Sequence, residues 1–250
     1  MVRAVPAARS AAGSLRRKGG ADVDDHKAAR GGAVERRFAD ALVKARADWA
    51  AADPAACAAR AGCPVAAGGV TVPFFGVPHL VTHPGGEVGA ATTAAGRDAG
   101  AADRAAAAEY GPVHVAVTVL LLHYLLTASG APPSGRWAAY RELPGGLFYA
   151  ASFAARAEEP LARAFGADAA GLEAFRAAAR RAGGEELDLA DAACSFAALP
   201  RVPVAVLVWQ GDDELPGDAR VLYDAGAEDY LPPEDLAGLG GQLSRRLAAG

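Results

Sequence analysis

Residues of the types that do chemistry gather in two islands of this chain. One runs from Leu120 to Tyr149, LLLHYLLTASGAPPSGRWAAYRELPGGLFY, and the other from Leu199 to Asp213, LPRVPVAVLVWQGDD. His123 stands in the first, with Val119, Leu120, Leu126 and Thr127 on its side of a helix by the 3.6-residue period. A neutral imidazole on such a face serves as an axial ligand to a metal-centred cofactor, or as a general base tuned by burial. The plainer alternative is a core histidine bonded to a carbonyl or a carboxylate.

Further along the same island, Arg141-Glu142-Leu143-Pro144-Gly145-Gly146 reads as a ligand loop. A Pro-Gly-Gly turn exposes backbone amides and permits positive φ, so Gly145 and Gly146 let the backbone come close to a bound group. Glu142 would accept a proton or orient a group, with Tyr140 and Tyr149 as walls and Trp209 of the second island completing the pocket. The competing reading is an ordinary connection in which Glu142 pairs with Arg141 or Arg136.

The remaining candidates have simpler explanations. His79 and His83 carry a metal-pair spacing, but Pro78, Pro84 and the residues between them favour a strand. At roughly 3.3 Å per residue a strand holds their Cα atoms about 13 Å apart, too far to share an ion. Asp212, Asp213 and Glu214 follow an apolar strand and are weak Mg²⁺ candidates; a solvated turn is the alternative. Glu234 and Asp235 suit the first turn of a helix, where the dipole favours acids. Cys57 and Cys63 sit on an Ala-rich segment with no ligand partners. No Gly-rich phosphate loop, serine elbow or H-E-x-x-H motif occurs, so no reaction is spelled out.

The elements that must position these residues follow from periodicity and punctuation. Val34, Phe38, Leu42 and Trp49 mark one face of a first helix, and Asp53-Pro54 caps a second. Val70–His83 reads as a two-stranded hairpin broken at Gly76 and Pro78. Ala90–Ala108 is low-complexity, a loop and then a solvated helix. Gly111-Pro112 opens the central helix that carries His114 and His123, and Gly130 closes it. Helices are expected at about Ser152–Phe165 and Ala170–Arg181, and from Pro232-Pro233-Glu234-Asp235 onward. Strands are expected at Ala192–Ala198, Val202–Gln210 and Ala219–Tyr223. Strands grouped apart from helices predict an α+β domain over residues 33–250, a small antiparallel or mixed sheet packed by helices.

Composition narrows the function classes. The chain has 250 residues, a formal net charge of -4 and 52% apolar residues, many of them alanine. It shows no basic face for nucleic acid, and no apolar run long enough to span a membrane. Three cysteines, an odd number, argue against a disulfide scaffold and fit a reducing cytoplasm. Residues 1–32 are basic and offer almost nothing to bury, which predicts a disordered tail. An organellar presequence is the alternative if the source is a eukaryote.

From Val70 onward the order of these islands resembles a bacterial and archaeal family of unknown function, number 3786, found mostly in anaerobes. The likeness rests on VPFFGVPHLVTHPGGEV (Val72–Val88), LLLHYLLTASG (Leu120–Gly130) and the W-x-x-Y-R-E-L-P-G-G-x-x-Y run from Trp137. It continues through EPLARAFG (Glu159–Gly166), LPRVPVAVLVWQGDDELP (Leu199–Pro216) and LYDAGAEDYLPPEDLAGLG, covering about the C-terminal three quarters. The resemblance implies no established activity. It does imply a context, because some relatives are similar to chains fused to a four-cysteine iron–sulfur domain of the kind found beside corrinoid proteins of one-carbon metabolism. This chain departs from them: Cys57, Cys63 and Cys194 are too few for a [4Fe–4S] cluster.

Two functions follow as expectations. One is an accessory protein that binds a small-molecule cofactor or ligand, or an iron–sulfur or corrinoid protein, through a pocket formed by His123, Tyr140, Glu142, Gly145, Gly146, Tyr149 and Trp209. The other is an enzyme using His123 and Glu142 as an acid–base pair, with a divalent cation at Asp212 and Asp213 as an option.

Overall fold

Alternation of turn residues with β-branched and apolar runs is realised as two antiparallel sheets bridged by helices. The computed structural model describes residues 38–91 and 115–249. The tail over 1–32, residues 92–108 of the low-complexity stretch, Gly111-Pro112 and His114 lie outside them. Helix α1 covers 38–51, and α2 spans Pro54–Ala61 with the Asp53 carboxylate accepting from the Ala55 amide at 2.9 Å. Strands β1 (Val65–Ala66), β2 (Gly69–Phe74), β3 (Val77–Thr82) and β4 (Val88–Ala90) pair in sequence order. The β2–β3 hairpin turns through Phe75 and Gly76, both at positive φ, which is the twist that tight hairpins favour. Trp49 of α1 is fully buried and donates its indole N–H to the Thr82 carbonyl at 2.8 Å, docking the helix on this sheet.

The apolar run becomes α3 (Val115–Thr127), whose residues Leu121, Leu122 and Leu125 are fully buried. After Gly130 the chain forms the short strand β5 (Trp137–Ala139) and a 3₁₀ turn at Tyr140–Glu142. Helix α4 (Gly146–Phe153), a π-helical turn (Ala154–Glu158) and α5 (Glu159–Phe165) form one continuous rod. Then come α6 (Ala169–Arg181), β6 (Glu185–Glu186), β7 (Ala192–Leu199), β8 (Val202–Trp209), β9 (Asp218–Asp224) and α7 (Pro233–Ala248). The second sheet has the order β5-β9-β8-β7-β6, all antiparallel, so β8 is central. This is the expected α+β class, with two sheets where one was foreseen.

The helix expected from Ser152 begins six residues earlier, at Gly146. Gly145 takes a left-handed φ of 75° as the N-cap, and the Gly146 amide donates to the Leu143 carbonyl at 2.9 Å. The Pro-Gly-Gly turn therefore starts a helix, and Tyr149 stands on that helix and not on a loop.

Val202, Val204, Val206 and Val208 of β8 face a core shared by both sheets and most of the helices. Ala205 and Leu207 face a second, smaller cluster with Trp137, Leu187, Trp209 and Leu222. The sheets also join directly, through the Phe75 amide and the Ala198 carbonyl at 2.9 Å. No helix among the described residues is long and apolar enough to cross a membrane.

Candidate functional site

The first turn of α7 is where the predicted site residues meet. Three consecutive residues of this helix start each take a different partner from earlier in the chain. The Pro233 carbonyl accepts from the Tyr140 hydroxyl at 2.9 Å, and Glu234 accepts from the Tyr149 hydroxyl at 3.0 Å. The Asp235 carboxylate lies 2.5 Å from Nδ1 of His123. Tyr140 is buried and stacked on Phe153, with ring centroids 4.2 Å apart. Burial, aided by Glu234 and Tyr149, pushes its hydroxyl up to about 12, so it acts as a neutral donor.

His123 is a histidine bonded to a carboxylate, the arrangement that the plainer sequence reading named. The hydrogen bond to Asp235 raises its pKa above the ordinary value; burial opposes this, as does Lys44, while Asp48 adds to it. With Nδ1 turned to Asp235, the imidazole is fixed in orientation and Nε2 is its remaining ring nitrogen. An aspartate on Nδ1 is also what orients the histidine base of a Ser-His-Asp triad.

The two glycines make close approaches to the protein itself. A Cβ on Gly146 would stand 1.9 Å from the Tyr140 carbonyl oxygen, and one on Gly145 would stand 2.9 Å from the Pro233 ring. Gly145, Tyr140, Tyr149 and His123 therefore converge on Pro233–Asp235. Glu142 instead turns back to accept from the Ala139 amide at 2.9 Å, closing the 3₁₀ turn. Trp209 does not join the group. Its side chain lies in the second cluster, on the face of β8 opposite the valines, because alternation along the strand fixes that face.

Beside the hub lies a cleft of about 510 Å³ lined by Glu234 and Asp235, with Phe38, Ala116 and Leu120 across from them. Arg156 of the π turn and Arg245 of α7 also line it, with Ala237, Gly238, Gly241 and Gln242. Its volume lies within the usual range for small-molecule sites. Leu147 and Phe148 stand exposed next to Tyr149 on α4.

Other candidates have local roles. Asp212 accepts from the Glu214 and Leu215 amides, each at 2.8 Å, and these amides lower its pKa in an exposed turn. Asp213 and Glu214 are exposed beside it. His79 bonds the Val77 carbonyl through Nδ1 at 2.8 Å, and burial lowers its pKa; His83 packs edge-on to Trp49. Cys57, Cys63 and Cys194 are buried free thiols, and burial pushes Cys63 up to about 12. Among the described residues no group of three or more His, Cys, Asp or Glu is placed to hold a metal.

Two structural acids escaped the sequence reading. Glu158, in the π turn, accepts from the Val221 amide at 3.1 Å, next to Leu222 where the pairing of β5 with β9 stops. Burial raises its pKa. Asp224, almost fully buried, accepts from the Ser134, Gly135 and Gly226 amides at 2.9, 2.7 and 2.8 Å. Burial pushes its pKa up, but these amides together hold it below the ordinary range. The one local signal for the hub was a pair of consecutive acids at a helix start, which points two carboxylates at different neighbours.

The family described as Domain of unknown function (DUF3786) matches residues 53–246. No curated protein and no solved structure matches the chain.

Proposed function

The chain belongs to the DUF3786 family, and we propose that it is a ligand-binding accessory protein whose site is the cleft at the start of α7. The observation that carries this reading is the triple anchoring of Pro233, Glu234 and Asp235 to Tyr140, Tyr149 and His123. Three contacts from two distant parts of the chain hold two carboxylates in one orientation at the wall of a cleft of about 510 Å³. Pre-ordering of this kind lowers the entropic cost of binding. The family resemblance, and no residue of the cleft, supports a setting beside iron–sulfur and corrinoid proteins of one-carbon metabolism in an anaerobe. Three buried free thiols support a cytoplasmic location.

Native mass spectrometry and visible absorbance of freshly purified full-length protein test the reading. A stoichiometric small molecule should accompany the wild type and be lost from His123→Ala and Asp235→Asn. A mass equal to that of the bare chain in every preparation, with no ligand gained from cell extract, refutes it.

The orientation of His123 by Asp235 supports a second reading, an enzyme in which His123 moves a proton. Asp235 then takes the part that the sequence assigned to Glu142. Under this reading the recovered ligand is converted on incubation, and His123→Gln stops conversion while binding persists.

A further inference from the structure

Charge pairing inside the α7 cleft points to the class of ligand, on the premise that the cleft is a binding site. Its two carboxylates are already engaged from within the protein, Glu234 by the Tyr149 hydroxyl and Asp235 by His123. Its two guanidiniums have no acidic partner among the described residues. Arg156 donates to Ser152 of its own helix, to the carbonyl at 2.9 Å and the hydroxyl at 3.2 Å. The Arg245 guanidinium makes no hydrogen bond or ion pair with any described residue; its backbone carbonyl is engaged by the Ala249 amide at 3.0 Å. Nη1 of Arg156 and the Arg245 guanidinium are therefore the donors that the cleft leaves available to a guest, among the described residues.

The shape of the cleft adds a second requirement. Phe38 and Leu120 supply apolar surface, while α7 contributes Gly238 and Gly241. A Cβ built on Gly238 or Gly241 would meet no described residue within 4 Å, so on this face of α7 no described side chain abuts the helix backbone. Arg156 also lies in the π turn, an irregularity concentrated at functional sites. We infer that the cleft takes a small amphipathic organic anion, its carboxylate held by Arg156 and Arg245 and its apolar body lying on Phe38 and Leu120. The planar guanidinium matches a carboxylate through two parallel hydrogen bonds, which a point charge does not reproduce.

Titration of the full-length protein with hexanoate, hexylamine and inorganic phosphate, followed at the Gly238 and Gly241 amides by NMR, tests the assignment. Hexanoate should give saturable shifts and bind on the order of tenfold more tightly than either other probe. Arg156→Met and Arg245→Met should each weaken hexanoate about tenfold, and Arg245→Lys by less, with the thermal midpoint unchanged. Hexylamine binding as tightly as hexanoate overturns the anion class and leaves the cleft a ligand site. Phosphate binding as tightly overturns the amphipathic requirement. No saturable shift at either glycine with any probe, in a protein that keeps a copurified ligand, overturns the placement of the site on this cleft; with no copurified ligand, the parent reading falls as well.

Discussion

Nδ1 of His123 and a carboxylate oxygen of Asp235 lie 2.5 Å apart although 112 residues of chain separate them. The contact ties the middle helix α3 to the first turn of the last helix, α7. It makes Asp235 at once a residue favoured by the helix dipole, the partner of an imidazole and a wall of the cleft.

The pair should give a pH dependence of definite sign. The hydrogen bond to Asp235 raises the folded pKa of His123; Lys44 works against it and Asp48 with it. A raised histidine stabilises fully below its unfolded value of about 6.5, and the contribution is lost as pH rises through the folded pKa. Urea denaturation at mildly acidic and mildly alkaline pH should show wild type losing roughly 1 kcal/mol relative to Asp235→Asn across that interval, since the pair is partly solvated. A constant difference between the two proteins would rule out the imidazolium–carboxylate pair.

Asp224 should act in the opposite direction of pH. Its folded pKa is below the ordinary carboxylate range, as burial is outweighed by the Ser134, Gly226 and Gly135 amides. Its contribution is present above the unfolded value of about 3.9 and is lost as pH falls through the folded pKa. At neutral pH, Asp224→Ala leaves three amides without their acceptor and should cost about 3 kcal/mol in urea denaturation. A cost below about 0.5 kcal/mol would show that water replaces the carboxylate without loss.

Gly146→Ala examines whether the Pro-Gly-Gly turn serves packing. The added Cβ would stand 1.9 Å from the Tyr140 carbonyl oxygen, so the 3₁₀ turn and α4 must move apart. A destabilisation of about 2–4 kcal/mol is expected, with weakened cleft binding because Tyr140 anchors Pro233. Neutral stability would mean that the turn has slack, and that the glycine is not required by contact.

Amide exchange should single out β8. It has a strand on each side and side chains covered on both faces, so Val206 and Leu207 should be among the slowest-exchanging amides in the protein. Exchange there as fast as in the exposed β6 hairpin would contradict the central position.

Local pattern was enough for the sequence to determine most of the elements. VPVAVLVW is apolar at alternating positions of both parities, which requires a strand covered on both sides, and β8 spans Val202–Trp209 at the centre of its sheet. Asp53-Pro54 and Pro233-Glu234-Asp235 carry their helix starts in adjacent residues, so no distant contact is needed to place them. The start of α4 was harder, because Pro-Gly-Gly is as compatible with a loop as with a left-handed N-cap. The packing of Gly146 against Tyr140 decides it.

The site itself belonged to the tertiary structure. His123, Tyr140 and Tyr149 were visible as candidates, yet their common partner is a helix turn 85 to 112 residues further along the chain. Periodicity carries no information about such pairings, since it reports only which face of an element is apolar. For the same reason Trp209 looked like a pocket wall until the sheet fixed its side, and Glu142 looked available until the Ala139 amide took its carboxylate. The sequence alone determined which faces had to be buried. Which polar groups meet once they are buried depends on how the helices cross the sheets, and that is settled by packing summed over the whole core.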